Sequence, residues 1–277
     1  PSTEYRVPST EYRVPSTEYR VPSTQCCNSR GRRAGNECAA PATMAGMCGR
    51  FVQVEKPEFY AEHFGAEFVR TETLKQNYNV APTTQVYAVA EHDGERVLTS
   101  FRWGLVPFWA KDIKIGSRSI NARSETAATK PTFRSSFEKR RCLIPADGFY
   151  EWERKAKGKL PHFIHSAEGS PLPIAGLWSS WKDPETEERV LTCTILTGAP
   201  NKLVEPIHDR MPVILPEKHW GEWLDPSNTD VEALQSLMAP FPESRMAEHP
   251  VSTLVNKVAN NGPDLLVPLS TPAVDQP

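Results

Sequence analysis

Runs of partly alternating apolar and polar residues predict a chain built mainly from short strands that pair as hairpins. Residues 84–89 and 96–103 are suitable partners, because the turn-forming sequence His92-Asp93-Gly94 lies between them. Two further pairs of strand-like runs flank short turn-forming sequences in the same way: 149–154 with 162–165 around Lys157-Gly158, and 173–178 with 189–196 around Asp183-Pro184.

Helical patterns are few and short. One helix is expected over 58–64, after Pro57 and before Gly65, and another over 216–224. A third is expected to begin at Thr229, because Glu232 follows three positions later as in a capping box. Since the 26 prolines are scattered along the chain, long helices and a doubly wound sheet are disfavoured. We therefore predict an α+β fold, mainly antiparallel strands curled into a barrel-like core with a few short helices.

The first 46 residues differ from the rest of the chain. Residues 1–21 are three copies of Pro-Ser-Thr-Glu-Tyr-Arg-Val, and a fourth copy starts at Pro22. A polar repeat with a proline every seven residues can form neither a helix nor a core, so 1–46 is predicted to be a disordered tail. It is either upstream sequence translated from a misplaced gene start or a propeptide. Residues 47–268 are expected to form one domain, and 269–277 a flexible C-terminal tail.

Charge and apolar content restrict the function classes. The formal net charge of −2 does not by itself predict a polyanion partner, and no apolar run is long enough for a signal peptide or a membrane span. The charges are unevenly distributed, however. Residues 214–250 are acidic, whereas 101–141 hold ten Lys/Arg against three acids. This segment suggests one cationic face, although ordinary clustering on a solvated surface explains it equally well.

The six cysteines divide between the tail and the domain. Cys26, Cys27 and Cys38 do not have a zinc-binding spacing. Cys48, Cys142 and Cys193 are an odd, sparse set, which argues against a disulfide scaffold and favours a reducing compartment. Neither a metal-ligand cluster nor a glycine-rich phosphate loop is recognisable, so no metal and no cofactor are predicted.

Cys48 follows Met47 directly, at the start of the part of the chain that looks folded. If Met47 is removed, Cys48 offers a thiol and an α-amine on adjacent carbons, and both can attack one aldehyde to close a five-membered ring. The reference pKa of an α-amine is about 7.7–8.0, so a usable fraction is unprotonated at neutral pH. The alternative is that Cys48 is a small buried hydrophobic residue.

Four other stretches place polar or aromatic residues in unusual contexts, and each also has an ordinary structural explanation. Asn121 could cap a turn, and Glu151 could face water on an alternating strand. His208 could be a structural histidine, and the pair Phe108-Trp109 could belong to the core. Taken singly, none of them decides a function.

Taken together and in order, the motifs resemble the SRAP family (SOS response-associated peptidase, abasic site processing proteins). The resemblance covers nearly all of residues 47–268. The motifs are Met-Cys-Gly-Arg-Phe (47–51), Tyr-Asn-Val-Ala-Pro (78–82), Trp-Gly-Leu-Val-Pro (103–107), Ile-Asn-Ala-Arg-Ser-Glu-Thr (120–126), Arg-Cys-Leu-Ile-Pro-Ala-Asp-Gly-Phe-Tyr-Glu-Trp (141–152), Ile-His-Asp-Arg-Met-Pro (207–212) and His-Pro-Val-Ser (249–252) with Val-Asn (255–256).

This resemblance implies a catalytic set. The α-amine of an N-terminal Cys48 would attack C1′ of an abasic deoxyribose, and the thiol would then close a thiazolidine. Glu151 and His208 would transfer protons, and Asn121 would orient the amine or the sugar.

The resemblance also implies a DNA-binding set and a cellular context. Phosphates would be held by Arg50 and Arg123, Asn79 and Thr197 would make further DNA contacts, and Phe108 and Trp109 would form a base-stacking wedge. The expected partner is single-stranded DNA with abasic sites, including single-strand/double-strand junctions. A monomer is expected, in the cytoplasm of a bacterium or the nucleus of a eukaryote.

Other functions stay open at this stage. A thiol peptidase could use Cys48 as nucleophile and His208 as base, and some family members are proposed to remove their own N-terminus. A noncovalent reader of single-stranded DNA would need only the basic segment and the aromatic pair. An abasic-site lyase would share the amine but not the thiol. In the 277-residue chain the Cys48 nitrogen is an amide with Met47, so this form is expected to be inactive in crosslinking.

Overall fold

The computed structural model describes residues 48–269, so the tail predicted for 1–46 and nearly all of the predicted C-terminal tail lie outside the described residues. The strands are β1 (Phe51–Gln53), β2 (Phe68–Val69), β3 (Asn77–Val80), β4 (Gln85–His92), β5 (Glu95–Trp103), β6 (Asn121–Arg123), β7 (Arg141–Ala146), β8 (Gly148–Arg154), β9 (Lys159–Ser166), β10 (Leu172–Lys182), β11 (Arg189–Gly198), β12 (Met211–Pro212) and β13 (Met246–Pro250). The α-helices are α1 (Pro57–His63), α2 (Ser124–Ala127), α3 (Arg134–Lys139), α4 (Trp220–Leu224) and α5 (Val231–Ser236).

Five strands close into a barrel. β11, β10, β7, β4 and β5 are joined in that order by antiparallel pairing. The ring is completed by a parallel contact between β11 and β5, in which Thr192 lies opposite Arg102 and Cys193 opposite Trp103. The predicted α+β class with a mainly antiparallel, barrel-like core is therefore confirmed.

A second sheet, in the order β13-β9-β8-β1-β3, packs beside the barrel. Gln53 of β1 connects the two, because its Nε2 donates to the carbonyls of Tyr87 (3.1 Å) and Pro145 (2.7 Å) in barrel strands. Asp147 is the single residue between β7 of the barrel and β8 of the second sheet, and its carboxylate accepts from the Tyr60 hydroxyl at 2.7 Å. These contacts fix β8 relative to the barrel, and β8 carries Glu151.

The hairpins predicted from the sequence are confirmed, whereas the predicted ends of the helices are only partly confirmed. β4–β5, β8–β9 and β10–β11 pair antiparallel as expected. The helix expected over 216–224 is a 3₁₀ turn, Glu217–His219, followed by α4. The prediction of a capping box at Thr229 is wrong. The N-cap of α5 is Asp230, whose carboxylate accepts from the Ala233 amide at 3.0 Å. A carboxylate one residue later is at least as good a cap as the threonine hydroxyl.

A buried arginine joins the helices to the barrel. Arg141, at the start of β7, is 2% exposed. Its guanidinium donates to the carbonyls of Phe137 and Glu138 (both 2.7 Å), Trp223 (2.6 Å) and Asn228 (3.0 Å). Since helix C-termini leave carbonyls unpaired, one planar cation satisfies the ends of α3 and α4 together.

Replacing Arg141 with lysine should therefore destabilise the fold, because a single ammonium cannot reach carbonyls on both helix ends. We expect the free energy of unfolding to fall by about 2–4 kcal/mol in urea titrations. Arg134→Lys, at an exposed position of α3, is the matched control and should change stability by less than about 0.5 kcal/mol. Equal losses in the two variants would contradict the assignment.

Candidate active site

Cys48 lies three residues before β1 and is fully buried. It belongs to a cluster of buried side chains that includes Phe51, Phe149 and Ile207. Its carbonyl accepts a hydrogen bond from Asn121 Nδ2 at 2.9 Å. The backbone around the candidate nucleophile is thus held by a side chain from β6.

Glu151 is a carboxylic acid in a strand that is covered on both faces. Its neighbours Phe149 and Tyr150 are both buried, Phe149 in the cluster that contains Cys48 and Tyr150 in a separate cluster. Because side chains alternate along a strand, Glu151 points to the same side as Phe149. Glu151 is 3% exposed, so the alternative in which it faces water is wrong. Its Oε1 has no hydrogen-bond partner among the described residues.

The electrostatics of this site keep both acidic groups protonated at neutral pH. Burial raises the pKa of Glu151 to about 8, the charge of Asp209 adds to the shift, and the Trp152 amide and Lys159 oppose it. Burial, followed by the charge of Glu151, raises the pKa of the Cys48 thiol well above its ordinary value. The thiol is therefore a poor nucleophile in this environment, since the thiolate is the reactive form.

Asn121 supplies a second unpartnered acceptor next to Cys48. It is the first residue of β6, lies opposite Ile195 of β11, and is 7% exposed. While its Nδ2 binds the Cys48 carbonyl, its Oδ1 has no partner among residues 48–269. A buried polar atom without a partner costs about 1–3 kcal/mol. Two such acceptors, on Asn121 and Glu151, indicate a site arranged to receive hydrogen-bond donors.

His208 lies in the loop between β11 and β12, and its ring orientation is fixed. Its Nδ1 lies 3.0 Å from the Arg210 amide nitrogen and 3.2 Å from both the Arg210 carbonyl oxygen and an Asp209 carboxylate oxygen. The residue borders a surface cleft of about 340 Å³. The cleft is lined by Trp152, Arg154, Glu205, Pro206, Ile207, His208 and Asp209.

Arg210 is a site residue that had no predicted role, although it lies in one of the motifs. Its guanidinium binds Glu125 through two hydrogen bonds, of 2.6 and 2.9 Å, and also the Thr197 carbonyl. Arg210 thereby joins the loop of His208 to the segment that begins at Asn121. In the sequence, only their opposite charges could have indicated that Arg210 and Glu125 form a pair. Because the two residues are 85 positions apart, that signal did not single out this pair.

Arg50 and Asn79 form one unit. Arg50 Nη1 donates to Asn79 Oδ1 at 2.8 Å and to the Val255 carbonyl at 3.0 Å. Asn79 is 2% exposed, and its Nδ2 donates to the carbonyls of Val255, Lys257 and Asn260 at 3.0–3.1 Å. The Asn79 amide is thus engaged within the protein and holds the Arg50 side chain in place. Its direct contact with DNA stays a prediction.

The remaining DNA-binding candidates lie on two other segments. Phe108 and Trp109 are 63% and 50% exposed, so the alternative that places them in the core is wrong. Their loop follows Gly104, where φ is +124° and a Cβ would come within 2.7 Å of the Gly116 carbonyl oxygen. Elsewhere, Arg123 is exposed on β6 and lies opposite Thr197, which is buried on β11.

Within residues 48–269 no helix is both long enough and apolar enough to cross a membrane. The same range contains no group of three or more His, Cys, Asp or Glu side chains suited to a metal ion.

Comparison with known proteins identifies the family. The family model described as "SOS response associated peptidase (SRAP)" matches residues 47–258. The chain belongs to the SRAP family. "Abasic site processing protein YoqW" of Bacillus subtilis (strain 168) is 44% identical over 222 residues, covering 79% of this chain and 99% of the relative. "Abasic site processing protein YedK" of Escherichia coli (strain K12) is 33% identical and covers 80% of this chain and all of the relative.

A vertebrate relative and a solved structure extend the comparison. "Abasic site processing protein HMCES" of Gallus gallus is 34% identical, covering 73% of this chain and 69% of that protein. The crystal structure of a protein from Bacteroides thetaiotaomicron superimposes with a TM-score of 0.73 at 27% identity, covering 80% of this SRAP chain and all of the other.

The raised pKa of Glu151 makes the stability of this SRAP protein depend on pH. An unfolded chain ionises this carboxyl near 4.5, whereas the folded one does so near 8. Its stabilising contribution is therefore complete below 4.5 and is lost as the pH rises through 8, by up to roughly 1.4 kcal/mol per pH unit between these values. Comparing the wild type with Glu151→Gln in urea at several pH values should reveal this slope in the difference. A difference that is independent of pH would show that the carboxyl is ionised in the fold.

Proposed function

We propose that this SRAP protein captures abasic sites in single-stranded DNA through a covalent bond to Cys48. The printed names of its relatives support abasic-site processing as the general activity. The observation that carries the covalent part is the placement of Cys48. It lies beside two buried acceptors, on Asn121 and Glu151, that have no partner among the described residues.

The α-amine of Cys48 is the first nucleophile in this proposal. The thiol pKa is raised by burial and by Glu151, so thiolate is scarce near neutral pH. A free α-amine has a reference pKa of about 7.7–8.0, and it would donate to the unpartnered oxygens of Asn121 and Glu151. In the 277-residue chain this nitrogen is bonded to Met47, so the reaction requires a form in which Cys48 is the first residue.

The reaction proceeds in two bond-forming steps. The amine adds to the aldehyde carbon of the ring-opened abasic sugar, and loss of one water gives an imine. The Cys48 sulfur then adds to the imine carbon, and the thiol proton ends on the imine nitrogen. The product is a thiazolidine ring, which lacks the imine through which a lyase would break the strand.

Glu151 and His208 divide the proton transfers. With a pKa of about 8, Glu151 exchanges a proton near neutral pH, which suits removal of a proton from the attacking amine and protonation of the departing water. His208 borders the adjoining cleft, and its imidazole would donate a proton to the ring oxygen of the closed sugar. Asn121 positions the nucleophile through its hydrogen bond to the Cys48 carbonyl.

Two arginines and two exposed aromatic rings would hold the DNA strand. Arg123 and the Asn79-supported Arg50 would bind phosphates as bidentate donors. Thr197 lies opposite Arg123 and would line the surface beside the contact between Arg123 and a phosphate. Phe108 and Trp109 would stack on a base next to the lesion or on the end of a duplex at a junction, because large exposed rings on a constrained loop suit stacking.

A thiol peptidase fits this geometry less well. Such an enzyme needs a lowered thiol pKa and a histidine that accepts the thiol proton. Here the Cys48 pKa is raised, and its sulfur lies 3.8 Å from the Arg50 carbonyl, to which it donates weakly. His208 Nδ1 is already engaged by the Arg210 amide.

Crosslinking kinetics test the proposal. A form that begins at Cys48 should bind an abasic single-stranded oligonucleotide covalently, as seen on a denaturing gel. Glu151→Gln should slow the reaction by about 100-fold or more, because general acid–base catalysis typically contributes that much. Glu55→Gln, at an exposed position of the same chain, is the control and should react at the wild-type rate. Equal rates for Glu151→Gln and the wild type would exclude the role of Glu151.

A further inference from the structure

We propose that the tip of the β8–β9 hairpin is a second phosphate-binding surface for the DNA strand on the His208 side of the lesion. The basic tip, as we name it, consists of Arg154, Lys155, Lys157 and Lys159, four cations within six residues. The inference rests on the proposed function in taking DNA as the ligand.

The basic tip is continuous with the candidate active site. β8 carries Glu151, and three residues later Arg154 borders the cleft that His208 also lines. All four cations are exposed. The turn closes through a hydrogen bond of 3.1 Å from the Lys155 amide to the Gly158 carbonyl, and no atom lies near a Cβ built on Gly158. The tip therefore projects into open space beside the cleft.

The charges of the basic tip are unbalanced. Arg154 and Lys159 lie directly opposite each other in the β8–β9 pairing. Within residues 48–269 neither of them nor Lys157 has an ion-pair partner, and Glu153 is engaged by Lys155 at 2.5 Å and by His162 at 3.2 Å. Like charges directly opposite destabilise a strand pair. An anion bound between Arg154 and Lys159 would remove this repulsion.

Some other exposed cations of the described chain are paired with carboxylates. Examples are the pairs Arg70–Glu95 (2.5 Å), Lys182–Glu187 (2.7 Å) and Arg245–Glu168 (3.1 Å). The basic tip instead places three cations without such a partner on one hairpin, next to the cleft that His208 lines.

The opposite wall of the cleft gives the strand a direction. It carries Glu205 and Asp209, which repel phosphates. A DNA backbone that leaves the sugar at His208 is therefore directed along the hairpin side, over Arg154 and toward Lys157 and Lys159. The phosphates are the anions that these unpaired cations would accept.

Binding without chemistry tests this inference. The probe is a single-stranded oligonucleotide with a tetrahydrofuran abasic analogue, which has no aldehyde, and the full chain is used. In fluorescence anisotropy the double variant Lys157→Ala/Lys159→Ala should bind about 5–10-fold more weakly at low salt. The slope of log K against log salt should fall by about 1.4, since each lost single-strand phosphate contact removes about 0.7. The variant should lose affinity for oligonucleotides that extend on one side of the analogue, and it should keep its affinity for those that extend only on the other side.

Two further variants give the controls. Lys139→Ala/Lys218→Ala removes two exposed cations elsewhere and should leave both the affinity and the slope within twofold of the wild type. Lys159→Glu should pair with Arg154, so its Tm should equal or exceed that of the wild type while its DNA affinity falls. Wild-type affinity and slope in the hairpin variants, or equal losses in the control, would overturn the inference. Failure of the form that begins at Cys48 to crosslink natural abasic DNA would count against the covalent function alone.

Discussion

The burial of an uncharged carboxyl group beside Cys48 is the constraint on which the site depends. Glu151 keeps its proton up to a pH of about 8 because it lies in a strand covered on both faces. That burial requires β8 to be held firmly between the barrel and the second sheet. Gln53 does this through hydrogen bonds to two barrel strands, and Asp147 through a hydrogen bond from Tyr60 of α1. The fold thus sets the acidity of the carboxyl group next to the candidate nucleophile.

The same arrangement has a cost in stability. A buried polar atom without a hydrogen-bond partner lowers the free energy of unfolding by about 1–3 kcal/mol. The unpartnered oxygens of Asn121 and Glu151 each carry this cost. Single buried polar atoms of Arg102, Thr126, Arg140, Thr194 and Arg210 also lack partners among the described residues. The oxygens of Asn121 and Glu151 differ from these in their position next to Cys48, where a ligand bound at the cysteine would meet them.

Local patterns predicted much of this structure, and long-range pairing is what they missed. The hairpins and the barrel-like class followed from alternation and turn residues, and ordered motifs pointed to Cys48 and Glu151. The closure of the barrel by β5 and β11 could not be predicted, because residues about 90 positions apart meet there in parallel. The Arg210–Glu125 pair and the burial of Asn79 depend on the same kind of distant contact, which one sequence does not reveal.

Intact-mass analysis of the adduct tests the central claim most directly. A form that begins at Cys48, mixed with a single-stranded oligonucleotide carrying one abasic site, should give a species whose mass is the sum of both components minus one water. Acetylation of the N-terminal nitrogen should abolish this species while leaving the thiol in place. A stable adduct from the acetylated protein, or one formed without loss of water, would contradict the ring-closing chemistry.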